Sequence, residues 1–139
     1  MPSRPSHALR AWAPPAAWAV LILCATSVPG SALPEAPLGD KTWHVLAYLP
    51  LGVLCARAVG RTRPGRTLRA GLLAAAAIVA FAALDEAHQA LIPGRFPDPC
   101  DALADVAGAW AGLAAWLGLR GGLRRRAPRR NGPGPGEGR

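Results

Sequence analysis

Asp85-Glu86-Ala87-His88-Gln89 follows fifteen uncharged residues, Ala70 to Leu84. Two carboxylates, an imidazole and an amide packed this tightly can move protons, hold a cation or fix a polar ligand. Asp85 lies seven residues before Ile92, which on a helix is roughly 10 Å along the axis. Charges at that depth in lipid cost on the order of 2.5–3.5 kcal/mol each on insertion scales, so they must face a bundle interior or a water-filled cavity. The alternative to a functional role is structural, with the pair locking helices together through buried hydrogen bonds.

Three further pieces carry polar chemistry. In Asp40-Lys41-Thr42-Trp43-His44-Val45-Leu46-Ala47-Tyr48, helical spacing puts Asp40, His44 and Tyr48 in one row that Gly52 continues. Taken alone, Asp40 and Lys41 also read as a solvated helix start and Tyr48 as an interfacial aromatic. Pro93-Gly94-Arg95 ends the third element and presents a guanidinium just outside it. Asp101 and Asp105 stand one turn apart and lead into Gly108 and Gly112, a GxxxG pair that permits close approach of another helix. That approach is expected to carry Asp101 and Asp105 toward Asp85 and Glu86.

Together these make a candidate pocket of His44, Tyr48, Asp85, Glu86, His88, Gln89, Arg95, Asp101 and Asp105, with Asp40 and Lys41 at its edge. Asp85, Glu86 and His88 are its candidates for acid–base work, and Arg95 could hold an anionic head group. No two histidines share a helix face as in HExxH, so no metal site is expected. No cofactor motif is present either, and no GxSxG elbow marks an activated serine.

What must position these residues is visible in the hydropathy. Of 139 residues thirty are alanine and one is lysine, with 51% hydrophobic and 17% charged. Neither a disordered chain nor an ordinary water-soluble domain has that pattern. Four apolar segments, about residues 12–28, 42–60, 70–92 and 102–119, approach the ~20 residues a helix needs to cross a bilayer. An all-α bundle of four transmembrane helices is expected. Its first helix should run from around Pro14-Pro15 to Pro29-Gly30. Gly52, Gly108 and Gly112 are the expected packing positions, and GxxxG also leaves room for an oligomer.

Charge gives the expected orientation. Arg4 and Arg10, then Arg57, Arg61, Arg63, Arg66 and Arg69, then Arg120 and the arginine-rich tail fall on one side. Glu35, Asp40, Lys41, Arg95, Asp98 and Asp101 fall on the other. By the positive-inside rule both termini, including residues 1–11, are cytoplasmic, and 120–139 is a disordered basic tail. The rival reading, a cleaved signal peptide ending near Ser31-Ala32, would leave three helices, but its apolar run is longer than such peptides usually carry. The formal charge of +8 does not indicate nucleic acid, because the arginines flank apolar spans and no aromatics alternate with them. Cys24, Cys55 and Cys100 have no ligand spacing and read as packing residues.

The ordered set Asp40-Lys41-x-x-His44-x-x-x-Tyr48-x-x-x-Gly52, Asp85-Glu86-x-His88-Gln89-x-x-x-Pro93-Gly94-Arg95 and Asp101-x-x-x-Asp105-x-x-Gly108-x-x-x-Gly112 closely resembles the VanZ-like family of small bacterial membrane proteins. The likeness runs from about Ser27 to Gly112. It implies a multi-pass protein of the bacterial cytoplasmic membrane and a shared site at the quoted positions. The family's namesake contributes to resistance against teicoplanin-type glycopeptides, so the resemblance implies a cell-wall lipid precursor, antibiotic or similar amphiphile as partner. It supplies no reaction. A membrane hydrolase or transferase on a lipid-linked substrate is the second functional class. A small transporter is the third, but the apolar stretch from Gly71 to Leu84 offers a transported ion no polar relay.

Overall fold

Alanine and leucine dominate the apolar runs, and both are strong helix formers. The computed structural model accordingly shows α-helices and one short 3-10 turn, with no strand among the described residues, 5–32, 39–63 and 67–126. The helices are α1 (Pro5–Thr26), α2 (Asp40–Thr62), α3 (Thr67–Gln89) and α4 (Pro99–Arg126), with the turn at Gly30–Ala32. Each contains a stretch of 20 to 23 residues long and apolar enough to cross a membrane. The chain is therefore a multi-pass membrane protein, with four spans among the described residues.

Several boundaries differ from expectation: α3 ends at Gln89, four residues after Asp85 and not at Ile92, and α1 ends at Thr26. Helix α1 does not begin among Pro14 and Pro15 but runs through them from Pro5. At Pro5 a missing N–H costs nothing in the first turn, and prolines are tolerated inside membrane helices, as Pro50 also is in α2. Helix α4 does not stop at Leu119, and residues 120–126 are helix where a disordered tail is expected. The helix continues to Arg126, because arginine favours helix and its charge suits a helix C-terminus. Residues 127–139 lie outside the described residues.

Helix α2 is the axis of the bundle. Its main partner is α4; α1 packs on α2, α3 leans on both α4 and α2, and α1 and α3 have little contact between themselves. The approach of α2 to α4 is made by glycine. A Cβ on Gly52 would collide with the Ala109 carbonyl, one on Gly108 with the Val45 backbone, and one on Gly112 with the Leu49 carbonyl. The GxxxG face is thus used inside the chain, against α2, and neither turns toward α3 nor stays free for a second copy.

Ile22, Tyr48, Leu51, Cys55, Val59, Ala74, Ile78, Ala82 and Ala109 form one buried cluster from all four helices. Cys55 is a packing residue there, whereas Cys24 and Cys100 are exposed thiols. Large apolar side chains such as Leu21, Leu72, Leu73, Leu84, Trp110 and Leu117 point outward. That is the distribution of a bundle solvated by hydrocarbon, where apolar residues need no burial.

Candidate functional site

The C-terminal ends of α1 and α3 meet the N-terminal ends of α2 and α4 at one end of the bundle. The two connections there are joined directly, because the Gly30 N–H donates to the Pro93 carbonyl at 3.1 Å. Gly94 takes φ 75°, a left-handed turn that glycine adopts without strain, and this aims Arg95 back at the bundle. The Arg95 Nε donates to the Val28 carbonyl at 3.3 Å, and its Nη1 lies 3.5 Å from Gln89 Oε1.

Asp85 is fully buried. Its Oδ2 accepts from the Tyr48 hydroxyl at 3.0 Å, and its Oδ1 accepts from the Thr26 hydroxyl at 2.7 Å. One carboxylate therefore links α1, α2 and α3. Tyr48 is held from below by Phe81, with ring centroids 5.8 Å apart. Glu86, the next residue, accepts the backbone N–H of Asp98 and so joins α3 to the start of α4.

A second group bridges α2 and α4. His44 Nδ1 lies 2.9 Å from Oδ1 of the fully buried Asp105, while its Nε2 faces Asp101 Oδ2 at 3.8 Å. Lys41 donates to both Asp98 and Asp101, the latter at 2.7 Å. The Lys41 ammonium, together with the Cys100 N–H, holds the Asp98 carboxyl below its ordinary 3.8. A carboxylate whose pKa is depressed on folding stabilises the fold above its unfolded value and loses that contribution as pH falls through the folded one. The stability gap between the protein and Asp98→Asn, measured by thermal unfolding in detergent, should therefore be present at neutral pH. It should close as pH falls below 3.8.

The sequence-expected residues divide accordingly. Tyr48 and Asp85 are joined, as are His44 with Asp105, Lys41 with Asp101, and Gln89 with Arg95. Asp101 and Asp105 pair with α2, where the glycines behind them pack, and stand near Asp85 and Glu86 without a hydrogen bond to either. His88 makes no hydrogen bond to any of these groups, and its Nδ1 is buried without a partner. The structure thus does not pair His88 with Asp85 or Glu86. Asp40 makes no side-chain hydrogen bond but stands with His44 and Asp101, their ligating atoms all within 4.8 Å of one another.

Sequence reasoning missed Thr26 and Asp98. A threonine in a last helical turn is too ordinary to draw attention, and only the docking of α1 on α3 makes it a partner of Asp85. Asp98 had a signal, since Lys41 is the lone lysine and needs a counter-charge. Oδ2 of Asp105, Oε2 of Glu86 and Nε2 of Gln89 are also buried without hydrogen-bond partners at this end of the bundle. Such atoms are costly unless a polar molecule or ion reaches them.

Below this layer lies an apolar cavity of about 540 Å³ between α1, α2 and α3, lined by Trp12, Ala19, Leu51, Cys55, Ala74 and Phe81 among others. Phe81 closes its upper end, one helical turn from Asp85. A family model described as VanZ/LLP1 matches residues 12–120.

The chain belongs to the VanZ/LLP1 family. The matched range holds α2 and α3, most of α1 and α4, and the residues of the two carboxylate centres just described. Comparison with curated proteins and with solved structures gave no significant match.

Proposed function

We propose that this VanZ-type chain acts in the bacterial cytoplasmic membrane on the cell envelope, contributing to protection against teicoplanin-type glycopeptides. It does so by handling a cell-wall lipid precursor or related amphiphile at an outward-facing polar site. The reading rests above all on Asp85, a fully buried carboxylate placed inside a membrane span and linking three helices. Ionisable groups so placed mark ligand paths by default. The apolar cavity that ends one turn away suits the tail of an amphiphile whose polar part reaches the carboxylates. Arg95, outside the last turn of α3, supplies a cation for an anionic head group.

The test is antibiotic susceptibility of a sensitive host carrying the gene. Glu86→Ala and Arg95→Ala should return the minimum inhibitory concentration to that of the host alone, at unchanged membrane abundance. Full protection from both variants would remove the site from the function.

One observation favours a second reading, a hydrolase or transferase on a lipid-linked substrate. The buried Asp105 orients the His44 imidazole through Nδ1 and leaves Nε2 available, the arrangement of a positioned general base. Purified protein should then alter undecaprenyl-linked or phospholipid substrates in a mass-spectrometric panel, and His44→Ala should stop it.

A further inference from the structure

We infer that Asp40, His44 and Asp101 form a binding site for a first-row divalent metal ion, with Asp105 positioning the histidine. The three side chains come from the first turns of α2 and α4, and each can bring one ligating atom within 4.8 Å of the other two. His44 and Asp40 are four residues apart on one helix face, and Asp101 reaches them because Gly52, Gly108 and Gly112 let α4 lie directly against α2.

The imidazole carries the argument beyond a cluster of acids. His44 is only 8% exposed, and its Nδ1 is engaged by Asp105 at 2.9 Å. With Asp105 ionised, Nδ1 carries the proton and Nε2 presents a lone pair. No hydrogen bond reaches Nε2 among the described residues. Asp101 Oδ2 stands 3.8 Å from it, too far to accept a hydrogen bond. Two donor atoms each about 2.0–2.2 Å from a shared ion lie roughly 3 to 4 Å apart, and this pair does. A carboxylate on the far nitrogen of a ligating histidine is the recurrent support of such sites, fixing tautomer and ring orientation. Asp105 is itself fully buried, and His44 is the partner of its Oδ1 while Oδ2 has none among the described residues. Lys41 occupies Oδ1 of Asp101 and leaves Oδ2 for the ion.

One nitrogen and two carboxylate oxygens suit Zn²⁺, Mn²⁺ or Co²⁺ better than the all-oxygen ions. Three protein ligands leave a coordination position open, as in catalytic rather than structural sites. The assignment stands apart from the antibiotic reading: a chain that binds the ion but gives no protection keeps the site and loses that reading.

The experiment is titration of the purified full chain in detergent with Co²⁺, followed by its visible absorption and by competition with Zn²⁺. A saturable one-to-one spectrum is expected. His44→Ala and Asp101→Asn should each weaken binding at least tenfold, and Asp105→Asn by about 10–100-fold, the usual cost of losing such a support. Asp40→Asn changes an exposed side chain without a hydrogen bond, so it should fold normally and still bind several-fold more weakly. Absence of saturable Co²⁺ binding by the unaltered chain would overturn the assignment, leaving His44 as an imidazolium paired with two aspartates. Equal affinity in His44→Ala and Asp40→Asn variants with native melting curves would overturn it too.

Discussion

Gly52→Ala should destabilise the protein by more than the about 1–3 kcal/mol typical of an overpacked core, and Gly108→Leu or Gly112→Leu should prevent assembly in detergent altogether. At each of these glycines the obstacle to a side chain is backbone of the facing helix, which no rotamer change can relieve. The helices would have to separate, and separation also breaks the His44–Asp105 and Lys41–Asp101 links one to three turns away. Against a stability of about 5–15 kcal/mol this is a large fraction. Gly118→Leu is the control, since nothing lies within 4 Å of a Cβ there. Thermal unfolding and gel filtration of the four variants check the expectation. A Gly52→Ala protein that melts like the original would show that α2 and α4 do not touch at Ala109.

Asp85→Ala is expected to be the most damaging side-chain truncation at the site. It removes the acceptor of the buried Tyr48 hydroxyl, and a buried donor left unpaired costs about 1–3 kcal/mol; the half-buried Thr26 hydroxyl keeps the Ile22 and Leu23 carbonyls as acceptors. The predicted loss is roughly 1–3 kcal/mol on that basis. If the Tyr48 hydroxyl is the cause, Tyr48→Phe added to Asp85→Ala should recover part of the loss, with a coupling of at least about 0.5 kcal/mol. Asp85→Asn separates fold from function, because its amide oxygen still accepts one hydrogen bond. It should remain folded and abundant in the membrane while losing antibiotic protection. Additive Tyr48 and Asp85 losses would instead mean that the two side chains do not meet.

The spans were readable from sequence because hydrophobic length is a bulk property: any four runs of this size in one chain with few charges have few alternatives. Their ends were not. Pro14-Pro15 reads as helix punctuation in water, but in a membrane helix the freed carbonyls are tolerated, so α1 starts a full two turns earlier. At the site, the i, i+4 row of Asp40, His44 and Tyr48 was legible, since it depends only on helical geometry. The pairing across helices was not. GxxxG at Gly108 and Gly112 announced a close neighbour, but nothing in its spacing says whether that neighbour is α2, α3 or another chain. The choice of α2 decides that Asp105 meets His44. Likewise the proximity of His88 to Asp85 in sequence suggested a working pair, whereas the carboxylate is already satisfied by hydroxyls from two other helices.

The apolar cavity lies where α1 and α3 touch least, on the flank of the bundle and not at its polar end. A molecule that enters this cavity sideways from the surrounding lipid meets mostly apolar walls, with Thr62 and Arg63 at the far end. Its effective concentration is then a mole fraction in the bilayer. Apparent affinities for any such molecule should scale with the amount of lipid or detergent in the assay, and comparisons between compounds should be corrected for their partitioning before any difference is credited to the protein.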